Sequence, residues 1–202
     1  MPCDRYEMPR KYTHIVFDPP SAHYVGASAI TVPFQIYDEE GEILLGPEGE
    51  NLTSPTNERS TLELFSQGSD PFKVIDGYDF DQNEVILCCQ SVSLESSSVQ
   101  GGMRDFIAVG TGFDFGEDRA SRGNVSSPSL CSLGKQADDQ VYVFEVVETV
   151  GEKEGKPGWR LKKRCKDPCR NPVSALNNIN GYVLHSNGPK VSWTAFRGNA
   201  DE

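Results

Sequence analysis

The sequence predicts a mainly β protein, of the kind built as a sandwich, a barrel or propeller blades. Three observations predict it. Short runs rich in β-branched and aromatic residues recur along the whole chain, separated by Gly, Asn, Asp and Pro. No window of helical length sustains a 3.6-residue apolar period. Gly and Pro together make up 32 of 202 residues and the apolar fraction is only 37%, the balance of a loop-rich chain with a modest core.

The expected strands follow in order. Residues 11–17, KYTHIVF, stop at Asp18-Pro-Pro. Residues 29–37 alternate and end at the turn signal Asp38-Glu-Glu-Gly. Residues 60–66 place Leu62 and Leu64 between polar neighbours, and 85–94 form a long strand pattern. Residues 106–110, FIAVG, read as a strand buried on both faces, and 142–150, YVFEVVETV, are the strongest strand in the chain. Residues 159–165, 173–178 and 182–186 complete the set. Within the central pair, Phe106, Ile107, Val109, Tyr142, Phe144 and Val146 are expected in neighbouring strands of one sheet covered on both sides. Residues 46–59 and 126–140 are small and polar and are expected as loops, the second of them an inserted, disordered one. A propeller blade takes roughly 40–50 residues and a ring about four to eight blades. As blades, this chain therefore supplies two or three, part of something larger.

Charge narrows the function. The net charge of −11 argues against a surface built wholly for nucleic acid. It is unevenly spread: residues 38–118 hold 18 acidic and 3 basic residues, whereas 152–170 hold 8 basic and 3 acidic. That basic stretch supplies the candidate RNA contacts: Lys156, Arg160, Lys162, Lys163, Arg164, Lys166 and Arg170 for phosphate, with Trp159 as a base-stacking platform. The competing explanation is an exposed strand edge guarded by lysines. Lys162-Lys-Arg164 also has the form of a minimal nuclear import signal.

Enzyme and metal signatures are missing. His14, His23 and His185 lie in no nucleophile or metal motif, and Glu117-Asp118 reads as a charged loop tip. Gly101-Gly102 and Gly110-Thr-Gly112 fit neither phosphate-loop pattern and precede no helix pattern. Cys165 and Cys169 lack a second ligand pair at zinc spacing. No cofactor is expected. No apolar run reaches 18 residues, so no membrane span is expected, and the amino terminus lacks the apolar region of a secretory signal. The six cysteines are accordingly expected as reduced thiols of an intracellular protein.

Several motifs in a fixed order carry a resemblance. They are Val32-Pro-Phe34 with Tyr37-Asp-Glu39, Ser60-Thr-Leu-Glu-Leu64, Asp76-Gly-Tyr78 with Asn83-Glu84, and Met103-Arg-Asp-Phe-Ile-Ala-Val-Gly-Thr111. Gly116-Glu-Asp118, Arg122-Gly-Asn124, the run 142–148, Asn171-Pro-Val-Ser-Ala-Leu176 and Asn180-Gly-Tyr182 follow. Together they resemble the carboxy-terminal propeller of the family of the largest subunit of the cleavage and polyadenylation specificity factor. The large triple-propeller proteins of damaged-DNA binding and of the spliceosome share that fold. The resemblance implies an incomplete β-propeller over residues 12–190, two to three blades of antiparallel strands in a larger multi-propeller protein. It also implies a non-enzymatic nuclear scaffold that touches other subunits of the cleavage and polyadenylation complex, and pre-mRNA. The alternatives are a propeller fragment of a damaged-DNA-binding or splicing relative, and a truncated product without independent function.

The chain departs from the family pattern at residues 125–140 and 191–202. Both segments open with Val-Ser, as a translated 5′ splice site of the form GTGAGT would, and the first closes on Gln140, a residue encoded by the 3′ splice-site ending CAG. Both are expected to be translated introns, the second leaving a non-family tail.

Overall fold

The computed structural model describes residues 7–33, 36–37, 43–45, 56–66, 72–96, 102–114, 139–149 and 158–196. Among them lie thirteen strands: β1 (Tyr12–Asp18), β2 (His23–Pro33), β3 (Ile36–Tyr37), β4 (Ile43–Leu45), β5 (Thr56–Phe65), β6 (Val74–Asp79), β7 (Glu84–Ser96), β8 (Gly102–Phe113), β9 (Asp139–Thr149), β10 (Gly158–Cys169), β11 (Leu176–Ile179), β12 (Tyr182–Asn187) and β13 (Lys190–Ala195). They form sheet I (β1-β2-β5-β6), sheet II (β7-β8-β9-β10), sheet III (β11-β12-β13) and a small β3–β4 hairpin inserted between β2 and β5.

Each large sheet is an antiparallel meander whose strands neighbour one another in chain order. The chain leaves each four-stranded sheet from its last strand, β6 or β10, and enters the next at a new first strand, β7 or β11. At one end the first strand of sheet II, β7, meets the first strands of the other two, β1 and β11, and at the other end β6 meets β10. Three sheets stacked face to face, joined last strand to first, are successive blades of a propeller; they do not close into a barrel.

Two apolar layers hold the stack. Between sheets I and II lie Val25, Ala27, Leu62, Leu64, Ile107, Val109, Tyr142, Phe144, Val146 and Leu161, with Phe80 and Ile86. Between sheets II and III lie Val92, Leu94, Phe106, Ala108, Val141, Val143, Cys169, Val173, Leu176 and Val183. The parity of β8 and β9 explains why sheet II is apolar throughout: successive side chains point to opposite faces, and each face meets another sheet. Ile107 lies opposite Phe144 and Val109 opposite Tyr142, while Phe106 faces the other layer. The expected central pair is therefore present, covered on both sides.

Local chemistry sets the details. The β11–β12 hairpin turns at Asn180-Gly181, with φ of 47° and 83°, the left-handed pair that a type I′ turn requires. Gly110 sits where a Cβ would come within 2.6 Å of Cys88 Sγ and of the Val173 carbonyl oxygen, so the connection between β10 and β11 packs closely on sheet II there. Glu84 is fully buried at the start of β7 and ties three strands together. Its carboxylate accepts the Thr111 hydroxyl (2.6 Å), the Tyr142 hydroxyl (3.0 Å) and the Asp81 N–H (3.3 Å).

The structure corrects several expected boundaries. Thr56–Arg59, expected in a loop, begin β5, because they pair with residues 30–33 of β2. Asp139 and Gln140, expected at the end of the inserted loop, belong to β9 and pair with Cys169 and Pro168. Residues 126–138 of that loop lie outside the described residues. Residues 173–175 are not strand; Val173 is instead a buried core residue whose N–H donates to the Thr111 carbonyl. Strands β6 and β13 carry weak apolar patterns and were not expected.

Candidate partner surface on strand β10

Strand β10 collects most of the expected RNA-contacting residues, and its pleat divides them. Register pairs Trp159 with Glu148, Leu161 with Val146 and Lys163 with Phe144, placing all three on the side facing sheet I. A bulge between Lys163 and Cys165 then shifts the alternation by one, so Lys166, opposite Tyr142, returns to that same side.

The cations facing sheet I are engaged. Lys163 Nζ donates to the Tyr78 hydroxyl at 3.2 Å and lies 5.1 Å from the centre of that ring. Lys166 Nζ lies 5.2 Å from the centre of the Tyr142 ring and 3.8 Å from an Asp81 carboxylate oxygen. Trp159 is half-buried, its ring 4.8 Å from that of His23. Each cation over an aromatic face adds roughly 0.5–1 kcal/mol at an exposed site. The β10 edge is also met from sheet I: the Leu161 N–H donates to Asp76 Oδ2 at 2.7 Å.

The other side of β10 carries Arg160, Lys162 and Arg164. Lys162 lies opposite Glu145 and Arg160 opposite Val147. Arg164 Nε donates to Glu145 Oε2 at 2.5 Å, and Arg104 of β8 pairs with the other oxygen of the same carboxylate. Glu145 is buried while both guanidinium groups reach solvent. One sunken carboxylate thus fixes two arginines at the surface in a defined orientation. Arg170 is exposed just beyond the end of β10, and Lys156 lies outside the described residues. Arg104 and Glu145 were not singled out from the sequence; the available signal was a lone acidic residue at an inward position of an otherwise apolar strand.

Among the described residues, neither the thiols nor the cluster of Ser21, His23 and Asp18 is arranged for nucleophilic chemistry. Burial pushes the Cys88 thiol up to about 11, Cys89 to about 12 and Cys169 to about 11, and raises Cys165 as well. All four are free thiols, held in the protonated form that behaves as a small hydrophobe. Ser21, His23 and Asp18 lie together, but Ser21 Oγ donates to Asp18 at 2.5 Å and His23 Nδ1 meets the Ser21 carbonyl at 2.7 Å. The hydroxyl proton goes to the carboxylate and the imidazole is turned to the backbone, so the cluster fixes the β1–β2 turn. Among the described residues no group of His, Cys, Asp and Glu has the geometry of a metal site, and no helix is long and apolar enough to cross a membrane.

Three stacked antiparallel meander sheets with a charged outer strand define a segment of a β-propeller protein. Comparison with known proteins makes the class specific. The model of the family described as "CPSF A subunit region" matches residues 59–197, and the chain belongs to that family. It is 33% identical over 172 residues to Protein CFT1 of Yarrowia lipolytica, covering 83% of this chain and 12% of that protein. It is 28% identical over 192 residues to Protein cft1 of Schizosaccharomyces pombe, covering 94% of this chain and 12% of the relative. It is 23% identical over 164 residues to cleavage and polyadenylation specificity factor subunit 1 of Drosophila melanogaster, 80% of this chain and 10% of the relative. The chain thus spans about an eighth of the relatives it matches. The family match continues through residues 191–197, where the sequence placed the start of a non-family tail, and residues 190–195 form β13, paired with β12.

Proposed function

We propose that the chain is a scaffold segment of the nuclear machinery that cleaves and polyadenylates pre-mRNA, acting by holding protein partners rather than by catalysis. One observation carries this: the family match runs from within β5 through β13, taking in two strands of sheet I and the whole of sheets II and III. The partners are other subunits of the cleavage and polyadenylation complex. Affinity purification of the full-length gene product under native conditions tests the reading. Recovery of cleavage and polyadenylation subunits is the expected result; recovery of ubiquitin-ligase or spliceosomal subunits instead would assign the chain to a related triple-propeller protein.

RNA contact is a second reading, favoured by three cations on one side of β10 beside Arg104. It rests on phosphate charge, so affinity falls as salt rises. Replacing Arg160, Lys162 and Arg164 with Ala weakens binding about equally for all sequences, because phosphate contacts carry no base information. A gel shift with single-stranded RNA at two salt concentrations tests it; binding indifferent to both changes would place the RNA site elsewhere.

A further inference from the structure

Trp159 is the base-stacking ring of the basic stretch, and it is half-buried, with the β1–β2 turn leaning on it. The contact is made by the imidazole of His23, whose centre lies 4.8 Å from that of the indole at an interplanar angle of 44°. His23 comes from sheet I and Trp159 from sheet II, so the contact lies at a junction whose two sides are both described. A nucleobase stacking on the same indole would take the place of that imidazole.

The imidazole is placed by its own turn. Its Nδ1–H donates to the Ser21 carbonyl at 2.7 Å, and the His23 N–H donates to Ser21 Oγ at 3.3 Å. Ser21 is fastened to one carboxylate: its hydroxyl and its N–H donate to Asp18 Oδ2 at 2.5 and 3.2 Å. Two costs oppose these bonds. Ala22 holds φ at 56°, in the left-handed region that an alanine side chain disfavours. Asp18 is buried, and burial raises its carboxyl above the usual carboxylate range; the Ser21 bonds offset the rise only in part, and Asp105 of β8 adds to it. The closed turn is therefore a strained backbone and a buried charge held by a few hydrogen bonds, with Pro19 and Pro20 exposed at its tip. Strain of this kind persists only where its surroundings hold it, and it collects in segments that switch.

We propose that the β1–β2 turn is a latch over Trp159, the His23 imidazole standing where a nucleobase would lie, and that opening of the latch lets one base of a single-stranded RNA stack on Trp159 while the cations of β10 hold its phosphates. The inference rests on the RNA-contact reading and adds a gate to it. Apparent affinity then scales with the fraction of chains whose turn is open, so a substitution that shifts the turn shifts binding by the same factor.

Trp193→Phe leaves Trp159 as the sole tryptophan, and the full 202-residue chain carrying it is titrated with oligoadenylate and, as a polyanion without bases, with polyphosphate. Oligoadenylate quenches the fluorescence of Trp159 and polyphosphate does not. Ser21→Ala removes the hydroxyl bonds, raises the affinity for oligoadenylate about 5- to 30-fold, and makes Trp159 more accessible to acrylamide before any RNA is added. Ala22→Gly relieves the left-handed strain, lowers that affinity about 2- to 5-fold, and shields Trp159. Opposite signs from adjacent residues separate a latch from general loosening, and circular dichroism of each variant checks the sheets. Adding Trp159→Leu abolishes the gain from Ser21→Ala, read by anisotropy of labelled oligoadenylate. Oligoadenylate binding that ignores both turn substitutions would overturn the latch and leave the RNA-contact reading standing. No RNA binding by a Ser21→Ala chain whose Trp159 is accessible would overturn both. Shifts of the same sign in the two variants, unchanged accessibility of Trp159 in Ser21→Ala, or equal quenching by polyphosphate would also overturn the latch.

Discussion

Glu84 offers a test of how the stack is held, because two opposing effects meet on one carboxylate. It is fully buried, accepts three hydrogen bonds and feels the positive charge of Lys166. Burial raises its pKa, and the bonds from Thr111, Tyr142 and Asp81 and the charge of Lys166 pull it down without cancelling the rise. The folded chain therefore holds the proton of Glu84 more tightly than the unfolded chain does. The sign follows. Stability from this group is present below the ordinary glutamate value and is lost as pH rises from there through the raised folded value, at a slope of up to about 1.4 kcal/mol per pH unit. Glu84→Gln keeps the shape and removes the titration. The free-energy difference between variant and parent, measured by urea unfolding from pH 4 to 8, should shift in favour of Gln as pH rises through that window. Glu84→Ala, by contrast, strands the Thr111 and Tyr142 hydroxyls beside a void and should cost about 2–5 kcal/mol at every pH. A Gln variant destabilised by the same amount at all pH values would refute the reasoning, because it would mean that the hydrogen bonds and Lys166 fully cancel the effect of burying the charge.

Three further outcomes follow from the packing and the sequence. Gly110→Ala should cost about 1–3 kcal/mol by urea unfolding, since its Cβ would meet the Val173 carbonyl at 2.6 Å; an unchanged midpoint would show that the connection between β10 and β11 is not in close contact with β8 there. Cys88 and Cys169, with thiols pushed up to about 11, should resist alkylation at pH 7 in the folded chain and react promptly in urea, read by mass spectrometry. Sequencing mature transcripts tests the intron reading of residues 125–140: messages that splice the segment out support it, and messages that all retain it refute it.

The sheets were legible in the sequence where side chains alternate or where an apolar run is flanked by turn residues. Strands β8 and β9 announced themselves because both faces of sheet II are buried, so their apolar residues run nearly uninterrupted. Strand β6, with Asp76, Gly77 and Asp79, was not legible, because its role depends on contacts with β5 and β10 rather than on its own apolarity. The candidate site was half legible. Composition showed a cationic stretch at 152–170 but not that a bulge after Lys163 would return Lys166 to the side of Trp159 and leave Arg160, Lys162 and Arg164 on the other. Trp159 looked available for stacking until the β1–β2 turn placed His23 against it. Arg104 and Glu145 are 41 residues apart and meet only because β8 pairs with β9.

The central claim, that this propeller segment serves cleavage and polyadenylation, is tested most directly by depleting the endogenous gene product and mapping messenger 3′ ends across the transcriptome. The account predicts loss of cleavage at polyadenylation sites and accumulation of read-through transcripts, restored by the full-length parent. Unchanged 3′ ends, with retained introns or sensitivity to DNA damage in their place, would contradict it.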